Sequence, residues 1–183
     1  MPLLVRRIVE AISPQVYVDV PSPLRLRRGK LTKEEEFSRF FDLSAGKVGD
    51  HGAILVVADA DDDCPPGLRD VLLGFECVRR SPITTAVVLA NRMYENWFLA
   101  AATSLAGERG LRSDMVVPHD PESIRDPKAW LKQQHTANLG AQRHWTYSET
   151  TDQPALTSMM DIQQARCSKS FDKLYREISA LVL

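Results

Sequence analysis

The stretch that decides the fold is ILVVADADDDCP, residues 54–65. It joins a short apolar run to four aspartates, Asp59, Asp61, Asp62 and Asp63. An apolar run of this length that ends in turn residues predicts a buried strand, over about residues 53–59. Acidic residues at the carboxyl end of a buried parallel strand lie where open α/β sheets bind their ligands. We therefore expect the chemical centre of the protein at this end of the strand.

Clustered carboxylates repel one another unless a positive charge joins them. A hard divalent cation suits oxygen ligands, and Mg²⁺ needs only one or two carboxylates together with water and substrate phosphate. The same residues are equally compatible with a solvated acidic turn, because an Asp-x-Asp after a strand is a weak motif by itself. The sequence leaves both interpretations open.

A second strand is predicted at Thr84–Ala90 (TTAVVLA), after a helix over residues 68–79. Strand, helix and strand in this order form a βαβ unit, so the two strands should be parallel and share a carboxyl edge. Asn91 then caps a predicted helix that runs to residue 104. Glu95 lies in its first turn, either as a further metal carboxylate or as an acid that favours the helix dipole.

The remaining chain predicts more helices and one further strand. The strand covers residues 15–20, and Thr32 with Glu35 forms a capping box for a helix over residues 32–47. Asp152 is the expected cap of another helix. The other predicted features are helices at 3–12, after Pro127 and at 171–182, an irregular segment at 138–151, core residues Trp97, Phe98 and Leu99, and no catalytic role for His119.

Two basic clusters are candidates for phosphate binding. One is the proline-containing loop at residues 21–30, and the other comprises Arg166, Lys169 and Lys173, before and along the last helix. Cationic side chains of this kind bind the phosphates of nucleic acid. Both clusters are also compatible with ordinary solvated surface.

Composition narrows the class of protein. The chain has 183 residues, is 44% hydrophobic and 26% charged, and has a net charge of −1. No apolar run approaches the roughly 20 residues of a membrane span, so we expect no membrane association. Three widely spaced cysteines predict neither a zinc site nor a disulfide framework, which favours a reducing cytoplasm. Without a basic excess, any binding to nucleic acid must use local patches or a partner.

Several strings, in this order, resemble a bacterial family of Toprim-like proteins known as a domain of unknown function. They are VVADADDDCPP, VVLANRMYENWFLAA, PESI with Arg125, Asp126 and Lys128, YSET with DQPALT, and SKSFDKLYREI. The resemblance implies an α/β Toprim-like, Rossmannoid, mostly parallel sheet flanked by helices. It divides the chain into a core of residues 1–105 and an irregular and helical C-terminal extension of residues 106–183 packed on that core.

The Toprim resemblance also implies chemistry. In that fold, a glutamate after the first strand and a later Asp-x-Asp hold Mg²⁺ (or Mn²⁺) for phosphodiester chemistry. Asp59 and Asp61 match the Asp-x-Asp, Asp63 is an accessory carboxylate, and Glu95 is a candidate for an additional acidic position. Asp59, Asp61 and Glu95 are thus the expected catalytic residues.

The chain departs from the family in two places. Relatives begin with a strand that ends in a glutamate-bearing turn, whereas this chain begins at the helix of residues 3–12. Relatives often have glutamate where this chain has Met93. We expect a chain truncated at its start, with a catalytically degenerate form as the alternative.

The sequence thus leaves three hypotheses. The first is a Mg²⁺-dependent nuclease in which Arg166, Lys169 and Lys173 neutralise transition-state charge. By analogy with Toprim nucleases, it would work with an ATPase partner in a defence or DNA-maintenance system. The second is a non-catalytic Toprim-like interaction subunit. The third, a phosphatase of the haloacid-dehalogenase type, ranks last because the Asp-x-Asp motif lies in the middle of the chain.

Overall fold

The computed structural model describes residues 1–49, 52–138 and 145–183. The described chain forms a mixed α/β fold in which helices flank a small parallel sheet. The strands are β1 (Ala53–Asp59) and β2 (Thr84–Ala90). The helices are α1 (Pro2–Ile12), α2 (Arg28–Leu31), α3 (Glu34–Val48), α4 (Pro65–Gly74), α5 (Glu76–Arg79), α6 (Asn96–Ala100), α7 (Pro127–Gln134), α8 (Asp152–Met159), α9 (Ile162–Ala165) and α10 (Lys169–Val182).

The two strands pair in parallel, as predicted. Ala53 lies opposite Thr84 and Asp59 lies opposite Ala90. Within the described ranges the sheet contains these two strands only. The carboxyl ends of both strands therefore meet at one edge, which we call the carboxyl edge.

Each face of the sheet packs on its own hydrophobic cluster, because alternate residues of a strand point to opposite faces. On one face, Val88 and Ala90 of β2 join a cluster with side chains of α1, α6 and α10. On the other face, Val87 and Leu89 join a cluster with side chains of α3 and α4. The first cluster contains residues from both parts of the predicted core-and-extension division, so the helices beyond residue 105 complete the same hydrophobic core.

Buried aromatic side chains dominate the first cluster. Trp97, Phe98 and Leu99 are fully buried, which confirms the prediction that they belong to the core. The Trp97 ring meets the Phe171 ring edge-on, with 5.5 Å between centroids. This contact fixes α6 against α10, whose predicted amphipathic helix is confirmed and begins two residues earlier, at Lys169.

The predicted strand at residues 15–20 is wrong. Residues 16–27 have no regular secondary structure, and Tyr17 is 88% exposed. Strand-forming side chains need a neighbouring strand and a face to pack on, and this segment has neither among the described residues.

Two predicted helices have different bounds in the structure. The capping box is wrong: Arg28–Leu31 forms its own helical turn, Thr32 ends it, and α3 begins at Glu34 without a side-chain cap. The helix predicted over residues 68–79 divides at Phe75, which has extended backbone. The Phe75 ring packs on the Phe37 ring at 5.2 Å between centroids, so tertiary packing favours the break.

Two further cap predictions are wrong. Asn91 does not begin a helix, because Arg92 has a left-handed backbone and α6 starts only at Asn96. Asp152 is the first residue of α8 and not its cap; its carboxylate accepts a hydrogen bond from the Ser148 N–H at 2.8 Å. The helix predicted after Pro127 is confirmed as α7. The predicted irregular segment 138–151 lies partly outside the described residues.

No helix in the described parts of the chain combines the length and apolar character that a membrane crossing requires.

Candidate functional site

The pairing of the two strands continues past their ends and shapes the carboxyl edge. The Ala60 N–H donates to the Ala90 carbonyl at 3.0 Å, and the Asp61 N–H donates to the Arg92 carbonyl at 2.9 Å. Asp61 (φ 52°) and Arg92 (φ 67°) both have left-handed backbone without being glycine. Such conformations cost free energy and cluster at functional sites. The edge is therefore a strained, tightly held junction of two loops.

Asp59 ends β1 and is the innermost acid of the edge. Its Oδ1 accepts a hydrogen bond from the Tyr94 N–H at 2.8 Å. The pKa of Asp59 is raised to about 6, chiefly by burial and also by the nearby charges of Glu95 and Asp61, while the Tyr94 hydrogen bond and Lys128 act in the opposite direction. A carboxyl group in this state titrates within the range that catalysis uses.

Glu95 is buried beside Asp59, with only 2% of its surface exposed. The Lys128 Nζ lies 3.8 Å from its Oε1, and the Gln153 side-chain amide donates to the same oxygen at 3.4 Å. Burial and the Glu95 charge together raise the pKa of Tyr147. The buried Tyr147 hydroxyl has no hydrogen-bond partner in the described chain. The predicted position of Glu95 in a first helical turn is wrong, because it precedes α6.

The three aspartates beyond Asp59 are exposed and pair with arginines. Arg28 lies 3.6 Å from an Asp61 carboxylate oxygen and also binds Asp63. Asp62, 81% exposed at its side chain, meets Arg92 at 3.0 Å and Arg125 at 3.5 Å. The basic loop at residues 21–30 thus reaches the carboxyl edge through Arg28.

A buried acid behind the edge joins three chain segments. Glu122 accepts hydrogen bonds from the Ser168 hydroxyl at 2.6 Å and the Ser170 N–H at 2.8 Å, and the Asn91 amide lies at 3.4 Å. Burial alone would raise the pKa of Glu122, but these hydrogen bonds outweigh it and the pKa is lowered. Glu122 therefore anchors the start of α10 next to the loop after β2.

Two residues of the predicted phosphate-binding cluster, Arg166 and Lys173, pair with acids of α10 instead of with the carboxylates of the edge. Arg166 binds Asp172 at 2.9 Å and lies 4.1 Å from the centre of the Tyr175 ring. Lys173 binds Glu177, one turn further along α10. Lys169 begins α10, between Ser168 and Ser170, which both donate hydrogen bonds to Glu122. Two of the three cations are thus engaged within their own surface region.

The basic side chains that do reach the edge are Arg28, from the predicted loop at residues 21–30, and Arg92, Arg125 and Lys128, which were not predicted to bind phosphate. Arg92 is the second residue after β2, so its place at the carboxyl edge follows from the position of the strand end, as it does for Asp59. Arg125 and Lys128 belong to the PESI-R-D-K string that carries the Toprim resemblance. Their approach to the acids depends on the packing of α7 against α6, which no local pattern reveals.

The predicted metal ligands fall into two groups. In the described parts of the chain, no group of three or more histidine, cysteine, aspartate or glutamate side chains has an arrangement suited to a metal ion. Asp61 and Asp63 are bound to Arg28, whereas Asp59 and Glu95 interact with each other. Because Mg²⁺ requires only one or two carboxylates, the donor chemistry of Asp59 and Glu95 fits this ion.

Comparisons of the chain with protein-family models, with curated proteins and with solved structures gave no match.

Proposed function

We propose that this protein is a Mg²⁺-dependent, Toprim-like nuclease or phosphodiesterase that acts on nucleic acid. The observation that carries the proposal is the pair Asp59 and Glu95, two repelling carboxylates where two parallel strands end. Ligand sites of open α/β sheets lie at this edge. The strained backbone of Asp61 and Arg92 supports a functional role for the same place.

Asp59 and Glu95 would hold the ion; Mn²⁺ binds the same oxygen ligands as Mg²⁺ and would substitute for it. When bound, the ion polarises a phosphate oxygen and lowers the pKa of water. The Tyr94 N–H orients the Asp59 carboxylate, and Lys128 balances the charge of Glu95. Asp61 and Asp63 would join once Arg28 turns toward a phosphate.

The biological setting remains part of the proposal. A net charge of −1 gives little general attraction for nucleic acid, so an ATPase partner that delivers the substrate is consistent with this chain. We place the protein in the cytoplasm, in keeping with its three free cysteines. Arg166, Lys169 and Lys173 stay predicted phosphate contacts.

The decisive experiment is titration of Mn²⁺ and Mg²⁺ by calorimetry into the parent chain and into Asp59→Asn. Asparagine retains the acceptor for the Tyr94 N–H but removes the charge. We expect the parent to bind and Asp59→Asn to bind at least about tenfold more weakly, the effect of losing one charged ligand. The matched control is Asp70→Asn, an exposed aspartate on α4, which should bind like the parent.

Cleavage of plasmid DNA and of structured RNA, with and without EDTA, then tests the activity. Metal-dependent cleavage that Asp59→Asn abolishes supports the proposal. Cleavage that persists in Asp59→Asn rules out the assigned site.

A second candidate is a catalytically degenerate, Toprim-like interaction subunit. It is favoured by Arg28, which already neutralises Asp61 and Asp63 without a metal ion. Arg28→Gln frees both acids and so separates the two candidates. If neither the parent nor Arg28→Gln binds Mn²⁺, the interaction subunit is the better explanation.

A further inference from the structure

Two arginines from distant parts of the chain converge on one exposed carboxylate at the carboxyl edge. Arg92 Nη1 lies 3.0 Å and Arg125 Nη2 lies 3.5 Å from the same oxygen, Oδ1 of Asp62. Arg92 follows β2, and Arg125 immediately precedes the Asp126 cap of α7. Two guanidinium groups therefore face one anion beside Asp59.

Hydrogen bonds hold the backbone at or next to both arginines. The Arg92 carbonyl accepts from the Asp61 N–H at 2.9 Å, which holds Arg92 in its left-handed conformation. Next to Arg125, the Ile124 carbonyl accepts from the fully buried Asn96 amide at 2.9 Å. The backbone positions of the two arginines are thus held by contacts that do not involve Asp62.

The anion between them is easily exchanged. The Asp62 side chain is 81% exposed and that of Arg125 is 78% exposed. Ion pairs at such exposure contribute only about 0–1 kcal/mol, so water and other anions compete with them readily. A phosphate group offers more acceptor oxygens than one carboxylate, and guanidinium groups bind it with paired hydrogen bonds.

We propose that Arg92 and Arg125 form a clamp for a backbone phosphate of nucleic acid, and that Asp62 occupies this clamp in the free protein. The clamp rests on the proposed function, since it supplies the substrate contact of the same site. It adds a phosphate contact at the edge that Asp59 ends, whereas Arg166 and Lys173 have acidic partners of their own.

The test measures binding of a fluorescein-labelled single-stranded oligodeoxynucleotide by fluorescence anisotropy over a range of salt concentrations. EDTA is present throughout, so the result does not depend on metal binding. The variants are Arg92→Gln, Arg125→Gln and Asp62→Asn. The matched control is Arg80→Gln, because Arg80 also forms an exposed ion pair, with Glu76, but at the opposite end of β2.

We expect Arg92→Gln and Arg125→Gln each to weaken binding by about tenfold, the loss of one charge-assisted contact. Each should also reduce the slope of log affinity against log salt by about 0.7, the value for one phosphate contact on a single strand. Asp62→Asn should strengthen binding because it removes the internal competitor. Arg80→Gln should bind like the parent.

The clamp is overturned if the parent does not bind, if the two arginine variants bind like the parent, or if Arg80→Gln loses as much affinity as they do. An unchanged affinity of Asp62→Asn overturns the role of Asp62 as the internal occupant. Because Arg125 is exposed, Arg125→Gln is expected to fold, and thermal unfolding of each variant checks this. Failure of the clamp leaves the Mn²⁺ titration free to decide the proposed function separately.

Discussion

The two loops that leave the sheet at the carboxyl edge are built in opposite ways. The loop after β1, residues 60–64, is exposed beyond Ala60, and its aspartates contact arginines on the surface. The loop after β2, residues 91–95, continues into the fully buried Asn96, and apart from the Arg92 side chain its polar groups bind partly or fully buried partners. Neighbouring strands thus deliver one exchangeable loop and one fixed loop to a single site.

The contrast between the two loops explains how the carboxyl edge is both rigid and accessible to a ligand. Buried hydrogen bonds are costly to leave unmade, so the second loop has one stable arrangement. Exposed ion pairs are weak and can exchange partners. The edge therefore places charged side chains with exchangeable partners next to a loop that buried hydrogen bonds hold in place.

The substitution with the largest expected effect on stability is at Asn96, the first residue of α6, directly after the fixed loop. Its amide donates to the Pro121 and Ile124 carbonyls at 2.7 and 2.9 Å, and its Oδ1 accepts from the Met93 N–H at 3.1 Å. Asn96→Ala leaves these buried groups without partners and should lower the free energy of unfolding by about 3 kcal/mol or more. Urea denaturation measures the loss.

The control for this experiment is Asn91→Ala, because Asn91 is only partly buried and makes one long hydrogen bond, 3.4 Å from Glu122. We expect a loss of about 1 kcal/mol or less from this variant. Equal losses at both positions would contradict the view that burial distinguishes the two asparagines.

The next largest effect is a pH dependence of the free energy of unfolding. It arises at Asp59, which ends β1 and contacts the loop after β2. Its pKa is about 6 in the folded protein, above the ordinary value of 3.8. The folded state therefore binds more protons than the unfolded state between these values, and stability falls as the pH rises from about 4 to about 6. Asp59→Asn removes this penalty and should gain about 2 kcal/mol relative to the parent between pH 4 and pH 7.

Thermal and urea unfolding across this pH range, with EDTA present, measures the gain. Asp70→Asn is the control, and its difference from the parent should not change with pH in the same way. A constant difference between Asp59→Asn and the parent would show that burial does not hold the Asp59 proton.

The smallest effect is expected in the exchangeable loop. Asp62→Ala removes contacts to Arg92 and Arg125, yet these are exposed ion pairs and the free energy of unfolding should change by less than about 0.5 kcal/mol. Urea denaturation at low and high salt measures it. A loss comparable to that of Asn96→Ala would show that both loops are structural and would remove the contrast between them.

Much of the sheet was predictable from local pattern. The apolar runs located β1 and β2 with the observed bounds, and their order along the chain predicted parallel pairing. The helix caps at Thr32, Asn91 and Asp152 were not predictable, because a cap residue has several alternative partners. In this fold the Asn91 amide faces Glu122 and the Asp152 carboxylate faces the Ser148 N–H.

The site was predictable only in part, because several of its contacts join segments that are far apart in the sequence. Asp59 was located because its position depends on the strand that it ends. Lys128 reaches Glu95, and Arg125 reaches Asp62, because α7 packs against α6. Sequence analysis predicted phosphate binding at Arg166, Lys169 and Lys173; the acidic partners of Arg166 and Lys173 lie within six residues of them along the chain.

Local sequence pattern was enough to predict the two parallel strands, the buried aromatic residues near Trp97 and the position of Asp59 at the end of β1. These features depend on the periodicity of apolar residues, which reports burial locally. Only the tertiary structure decided that Glu95 is buried and which cations face the acids. Burial of a charge and the choice of its partner depend on segments far apart in the chain, and only folding brings these segments together.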